Sequence, residues 1–325
     1  MLFRSSLRVL PPGDYVARAK VSSGGAAEGE LRRWFVVTGA SPAPAASDDS
    51  TAVVAGRAPA PVVSALAAGA VPRFALEHVL AGNVLGGFLD RLAARPDAAS
   101  PAVRELIERA RAEGVEQLVV SDTLVATSPV AAFLGGLRLF SEKQFDAAAA
   151  AFRAAMRASP DMFPAMVYLG ACYAAGGRDK EAAGAWQTAL IGTGDAMAVH
   201  RLLADALLRQ GSGERALQAV ERARARWPDD ETLQHRFVVA ALLGGKRAEG
   251  LQAIDALTAS GGEIDEPTLA LALLVLYDAF EHQSPIEGGE QDRARMLRLA
   301  DRYRARGGPS LALIEAWVAA VTGKG

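Results

Sequence analysis

A period of 34 residues runs through the middle of the chain, and it decides what the chain can fold into. Gly136, Gly170 and Ala204 share it, as do Ala148, Ala182 and Ala216, and again Ala155, Ala189 and Ala223. A bulky column follows in Phe152, Trp186 and Val220, while Pro160 and Pro228 stand two periods apart with Gly194 midway. Gly177, Gly211 and Gly245 keep the same step, where the first copy has Lys143. A unit this short cannot enclose a core, so successive copies must bury their faces on one another. Within a copy, Leu169, Gly170 and Tyr173, then Ala182, Trp186 and Ala189, recur at helical spacing on either side of Gly177. The spacing predicts two helices of about a dozen residues each, joined where glycine takes a backbone conformation closed to other residues. The small columns allow close helix approach, the bulky column fills the space between neighbours, and proline stops the second helix.

This G…Y…G…A…W…A pattern is clearest in Met166-Val-Tyr-Leu-Gly-Ala-Cys-Tyr-Ala-Ala-Gly-Gly177 and on to Ala189, and it resembles the tetratricopeptide repeat. The resemblance implies an all-α fold, a right-handed superhelical solenoid with a concave face, of roughly five to seven helix pairs between residues 72 and 322. Residues 129–262 hold three clear copies and a degenerate fourth, Phe237 to Gly245 with Leu251 to Leu257, in which Gly250 replaces the alanine. Flanking helices are expected over 72–128 (Phe74 to Leu92, Ala102 to Ala112, Gln117 to Ala126) and over 263–325 (Pro267 to Phe280, Gln291 to Arg306, Pro309 to Val321). These lack the columns, as the ends of a stacked array do.

The first 38 residues differ in kind. Pro11-Pro12-Gly13-Asp14 is turn chemistry, Tyr15 to Val21 and Leu31 to Thr38 read as strands around a loop Ser22 to Gly29, and Leu2 to Leu10 offers a third strand. Two or three strands bury too little to stand alone. Residues 39–61, rich in Pro, Ala, Ser and Gly, read as a flexible linker. The strand segment resembles the closing hairpin of bacterial β-sandwich modules. In series with the repeats it is similar to the C-terminal part of bacterial von Willebrand factor A-type proteins. That likeness implies a truncated N-terminus and an exported protein, whereas the chain as written has no signal peptide and reads as cytoplasmic. The metal motif D-x-S-x-S is absent, so no metal function carries over.

Composition leaves little chemistry. One cysteine, Cys172, excludes an internal disulfide, and it sits among small residues as a buried thiol; four histidines offer little for metal or acid–base work. No G-x-S-x-G, phosphate loop or H-E-x-x-H appears, so neither catalysis nor a cofactor is expected. A net charge of −2 argues against nucleic acid as partner. Arg222, Arg224 and Arg226, and the run Arg293, Arg295, Arg298, Arg302 and Arg304, read as solvated faces. The most apolar run, Thr268 to Tyr277, is half the length of a membrane span and reads as a buried helix.

The remaining candidate is the concave face, expected to bind a protein or peptide. Helical phase turns Phe133, Leu137 and Phe140 toward it, then Val167, Ala171 and Ala174, then Arg201, Asp205, Leu208 and Arg209, then His235, Val239 and Leu242. Relatives that hold a terminal carboxylate use a Lys/Asn/Arg clamp there. Here the side chains are mainly apolar, which favours a groove for a helix or strand. The expectation is a non-catalytic interaction scaffold; the alternative is an accessory domain that spaces or self-associates within a larger exported assembly.

Overall fold

The computed structural model describes residues 13–23, 26–37, 67–76, 79, 87–193 and 196–323. Five helix pairs stack in chain order: α4 (Pro129–Ser141) with α5 (Phe145–Ala158), α6 (Phe163–Ala175) with α7 (Asp179–Gly192), α8 (Met197–Arg209) with α9 (Gly213–Arg226), α10 (Glu231–Leu243) with α11 (Arg247–Ala259), and α12 (Glu266–Glu281) with α13 (Gly289–Arg306). A last helix, α14 (Leu311–Thr322), packs on α12 and α13. Ahead of the stack come α1 (Phe88–Ala93), α2 (Pro101–Glu113) and α3 (Asp122–Thr127).

The repeat columns set the pairing distance. A methyl on Gly136 would lie 2.7 Å from the Phe152 ring, and one on Gly170 would lie 2.5 Å from Trp186 Nε1. The large side chain of the second helix therefore lies over the bare backbone of the first. In the fourth pair the trade reverses: Val238 occupies the small column, and Gly250 replaces alanine where a methyl would meet Leu242 at 3.0 Å. Gly177, Gly211 and Gly245 turn the chain between paired helices at φ of 70°, 69° and 89°, and Lys143 does the same at 61°. Caps fix several helix starts: Ser128 Oγ accepts from the Ala131 amide at 3.2 Å, Asp230 from that of Leu233 at 2.8 Å and Asp265 from that of Thr268 at 2.9 Å.

First helices also pack on first helices (α4 on α6, α8 on α10, α10 on α12), so they form the inner, concave row and α5, α7, α9 and α11 the outer one. Rings fill the row's beginning. Phe133 lies 5.8 Å from Phe152 and 6.0 Å from Tyr168, and Phe140 lies 5.6 Å from Tyr168.

Several expectations need correction. The helix expected from Phe74 to Leu92 is interrupted: residues 72–75 are not helical, and Gly87 at φ 66° begins α1 afresh, because a left-handed residue cannot continue a right-handed helix. The helix expected from Gln117 starts at Asp122, where Ser121 Oγ accepts from the Leu124 amide, after an extended Leu118. Arg295 is buried rather than solvated, with Asp255 at 2.8 Å and Glu287 at 2.9 Å. Arg224 lies over the Phe237 ring at 4.0 Å. At the N-terminus, β1 (Gly13–Ser23) and β2 (Ala26–Val37) pair antiparallel from Gly13 opposite Val37 to Ser23 opposite Ala26, with an irregularity at Val21 and Ser22. Strand pairing thus reaches further into the expected Ser22 to Gly29 loop than the side-chain pattern suggests, since ladder bonds use backbone groups that small residues also carry. The third strand and the 39–61 linker lie outside the described residues.

Candidate partner-binding groove

The expected groove residues lie on the inner row but are mostly covered. Phe133, Leu137, Phe140, Val167, Ala171, Asp205, Leu208, Val239 and Leu242 are all buried, and Arg201 and Arg209 are half-buried. They do not line an open apolar groove as expected. Part of the reason is local, since Phe133 and Phe140 belong to the ring cluster between α4, α5 and α6. The rest is that another stretch of the same chain crosses the row.

The described residues of that stretch are 67–76, 79 and 87–92. Phe88 meets Phe133 edge-on at 6.0 Å in the first pair. At the third pair, Arg209 Nη1 donates to the Pro72 carbonyl at 3.1 Å and its guanidinium lies 5.9 Å from the Phe74 ring. At the fifth, a methyl on Gly69 would touch Pro267 Cβ at 3.6 Å. The described residues 69, 72, 74 and 88 thus meet the inner row at its fifth, third and first pairs. Ala70, Val79, Phe88 and Leu92 are buried in the same apolar cluster as the row itself.

The charged groups of the row are paired internally. Arg201 meets Asp230, Arg209 Nε donates to Asp179 at 2.7 Å, and Arg236 holds Asp205 through two bonds of 2.8 and 2.9 Å. Burial pushes the Asp205 carboxyl up, and the Arg236 guanidinium opposes that. Arginines already matched to carboxylates make a poor clamp for a free C-terminus. The thiol of Cys172 is buried in α6 and pushed up to about 12 by burial, which leaves it protonated at neutral pH.

A clasp closes the far end of the crossing stretch. Arg95, just beyond α1, donates to Asp161 Oδ2 and Oδ1 at 3.1 and 3.0 Å and to Ser159 Oγ at 2.6 Å, in the connection between α5 and α6. Sequence reasoning missed both the crossing stretch and the clasp. The available signal was an apolar series, Ala70, Phe74, Val79 and Phe88, with too loose a period for a helix.

Among the described residues no helix is long and apolar enough to cross a membrane; Thr268 to Tyr277 lies within α12, mostly buried. Residues 139–206 match the tetratricopeptide repeat family. Among solved structures, the chain is similar to a thermophilic tetratricopeptide-repeat protein of Thermus thermophilus, at 16% identity over 60% of this chain and 100% of that one, with a TM-score of 0.32. It is also similar to a tetratricopeptide-repeat protein from Parabacteroides merdae, at 12% identity over 80% and 98% of the two chains, with a TM-score of 0.36. No curated protein matches. The matched residues, the columns of period 34 and the helix pairs built on them agree that this chain carries tetratricopeptide repeats.

Proposed function

We propose that the stacked pairs form a non-catalytic protein-binding scaffold whose concave row takes an apolar segment of chain. The observation that supports this reading is the occupant already there: described residues 67–76 and 87–92 meet the row, with Phe88 on Phe133 and Pro72 and Phe74 on Arg209. A row that holds such a segment offers the right chemistry to a partner segment with aromatic and aliphatic anchors and few charges. The partner enters by competing with the tethered copy.

The test uses the full chain and a labelled peptide copying residues 67–92. In the wild type, the tethered copy stands at an effective concentration on the order of millimolar, so the peptide at about 10 μM changes little in anisotropy. Phe74→Asp with Phe88→Asp weakens the tethered copy and is expected to raise peptide binding at least tenfold, while circular dichroism shows the helices retained. A helical double variant that ignores the peptide at about 1 mM, where even weak specific contacts register, refutes the reading.

A further inference from the structure

On the side away from the concave row, α7, α8 and α9 border a groove of about 600 Å³. Leu190 and Ile191 of α7 form one wall, Leu203 and Leu207 of α8 the floor, and Arg215 and Arg222 of α9 the other wall. Ile191 is 80% exposed, more than any other large hydrophobic among the described residues. Here it is not an isolated surface side chain, because it continues an apolar floor.

The arginine wall has its own logic. Residues 215 and 222 are two helical turns apart, so both side chains project along one side of α9. Neither Arg215 nor Arg222 meets a carboxylate among the described residues; Arg222 Nε donates only to the Gln218 carbonyl, at 3.3 Å. Among the described residues, no carboxylate lines the groove. On the concave side, by contrast, Arg201, Arg209 and Arg236 each have an aspartate. An apolar floor beside Arg215 and Arg222, which no carboxylate meets among the described residues, is the complement of an amphipathic segment with aliphatic residues on one face and carboxylates along its edge.

We propose that this outer groove docks an acidic amphipathic helix of a partner protein. Its aliphatic side chains lie on Ile191, Leu203 and Leu207, and its carboxylates meet Arg215 and Arg222. Nucleic acid fits the groove less well. Single-stranded chains need ring faces for stacking, and the one ring in the lining, His200, is already edge-on to Trp227 at 5.5 Å.

The probe is a labelled amphipathic peptide of about four helical turns, leucines on one face and glutamates on its flank, with a glutamine copy as control. Titrated with the full chain at low salt, the glutamate peptide is expected to bind at least tenfold more tightly than its glutamine copy. The double variant R215E/R222E is expected to lose at least tenfold, Ile191→Asp to weaken binding, and R215K/R222K to retain most of it, all with unchanged thermal unfolding. Three results overturn the proposal. One is glutamate-peptide affinity unmoved by charge reversal, another is no binding at about 1 mM. The third is a single-stranded oligonucleotide that binds these arginines more tightly than the peptide does. The outer groove uses Leu203 and Leu207 of α8 and none of Arg201, Asp205, Leu208 or Arg209, so the peptide copying 67–92 distinguishes failure of one from failure of the other.

Discussion

Replacing Gly170 by alanine isolates the contact that sets the distance between paired helices. The added methyl would lie 2.5 Å from Trp186 Nε1 and 2.8 Å from two indole carbons, closer than van der Waals contact permits. The indole is fully buried and its Nε1 donates to the Val167 carbonyl at 2.9 Å, so the ring cannot move aside without losing that bond. Overpacking costs about 1–3 kcal/mol and a weakened buried hydrogen bond about 1 kcal/mol, against a helix-propensity gain of about 1 kcal/mol for alanine over glycine. The expected net loss is about 1–3 kcal/mol. Trp186→Val alone removes most of a buried ring and costs about 3 kcal/mol. One repeat later the same two positions hold Ala204 and Val220, both buried. The methyl should therefore be accepted in the Trp186→Val background, where Gly170→Ala becomes neutral or stabilising by up to about 1 kcal/mol. The coupling between the sites is then about 1–4 kcal/mol. Urea unfolding of all four chains followed by far-ultraviolet circular dichroism measures it, with slopes compared because repeat arrays depart from two-state behaviour. Single costs that add to within about 0.5 kcal/mol would refute the account of the small and bulky columns.

Lys143 holds a left-handed conformation at φ 61° where the next three pairs have glycine, so Lys143→Gly is expected to stabilise the chain by about 1 kcal/mol; urea midpoints that fall would contradict this. The Arg95 clasp predicts a pH dependence. Hydrogen bonds from Arg95 and Ser159 hold the Asp161 carboxyl down at about 2, from an ordinary value of 3.8. A lowered folded value means the stabilisation is present above the ordinary value and fades as pH falls toward about 2. Asp161 is two-thirds exposed, so the effect is small, within about 1 kcal/mol. The melting-temperature difference between wild type and Arg95→Gln should be steady from about pH 5 to 7 and vanish near pH 2, and a difference that persists there points to packing instead.

The paired helices were legible in the sequence because their determinants recur in step. The Gly170 and Trp186 columns set the approach, and Gly177, Gly211 and Gly245 the turns. Even the unmatched α12, α13 and α14 follow ordinary apolar periodicity. Side chains whose environment comes from distant chain were not legible. Arg295 looks like part of a charged helical face, and Asp255, forty residues back on α11, together with Glu287, makes its burial tolerable. The inner-row residues were assigned to the inner row by helical phase alone, but phase cannot report that Phe74 and Phe88 lie across that row. The outer groove was missed differently. Arg222, Arg224 and Arg226, two apart, diverge on a helix, while the seven-residue step from Arg215 to Arg222 places two on one side.

The Arg95 clasp and the Arg209 contact together fasten the crossing stretch at two points, beyond residue 92 and at residue 72. A ligand tied down in this way acts as a threshold rather than a plug. Under the proposed function, a partner meets a binding surface that is free only for the fraction of time the stretch is detached, and its apparent affinity falls by that same fraction. Weak, promiscuous apolar segments are then turned away, while a partner that also loosens either fastening gains twice, once in contacts and once in access.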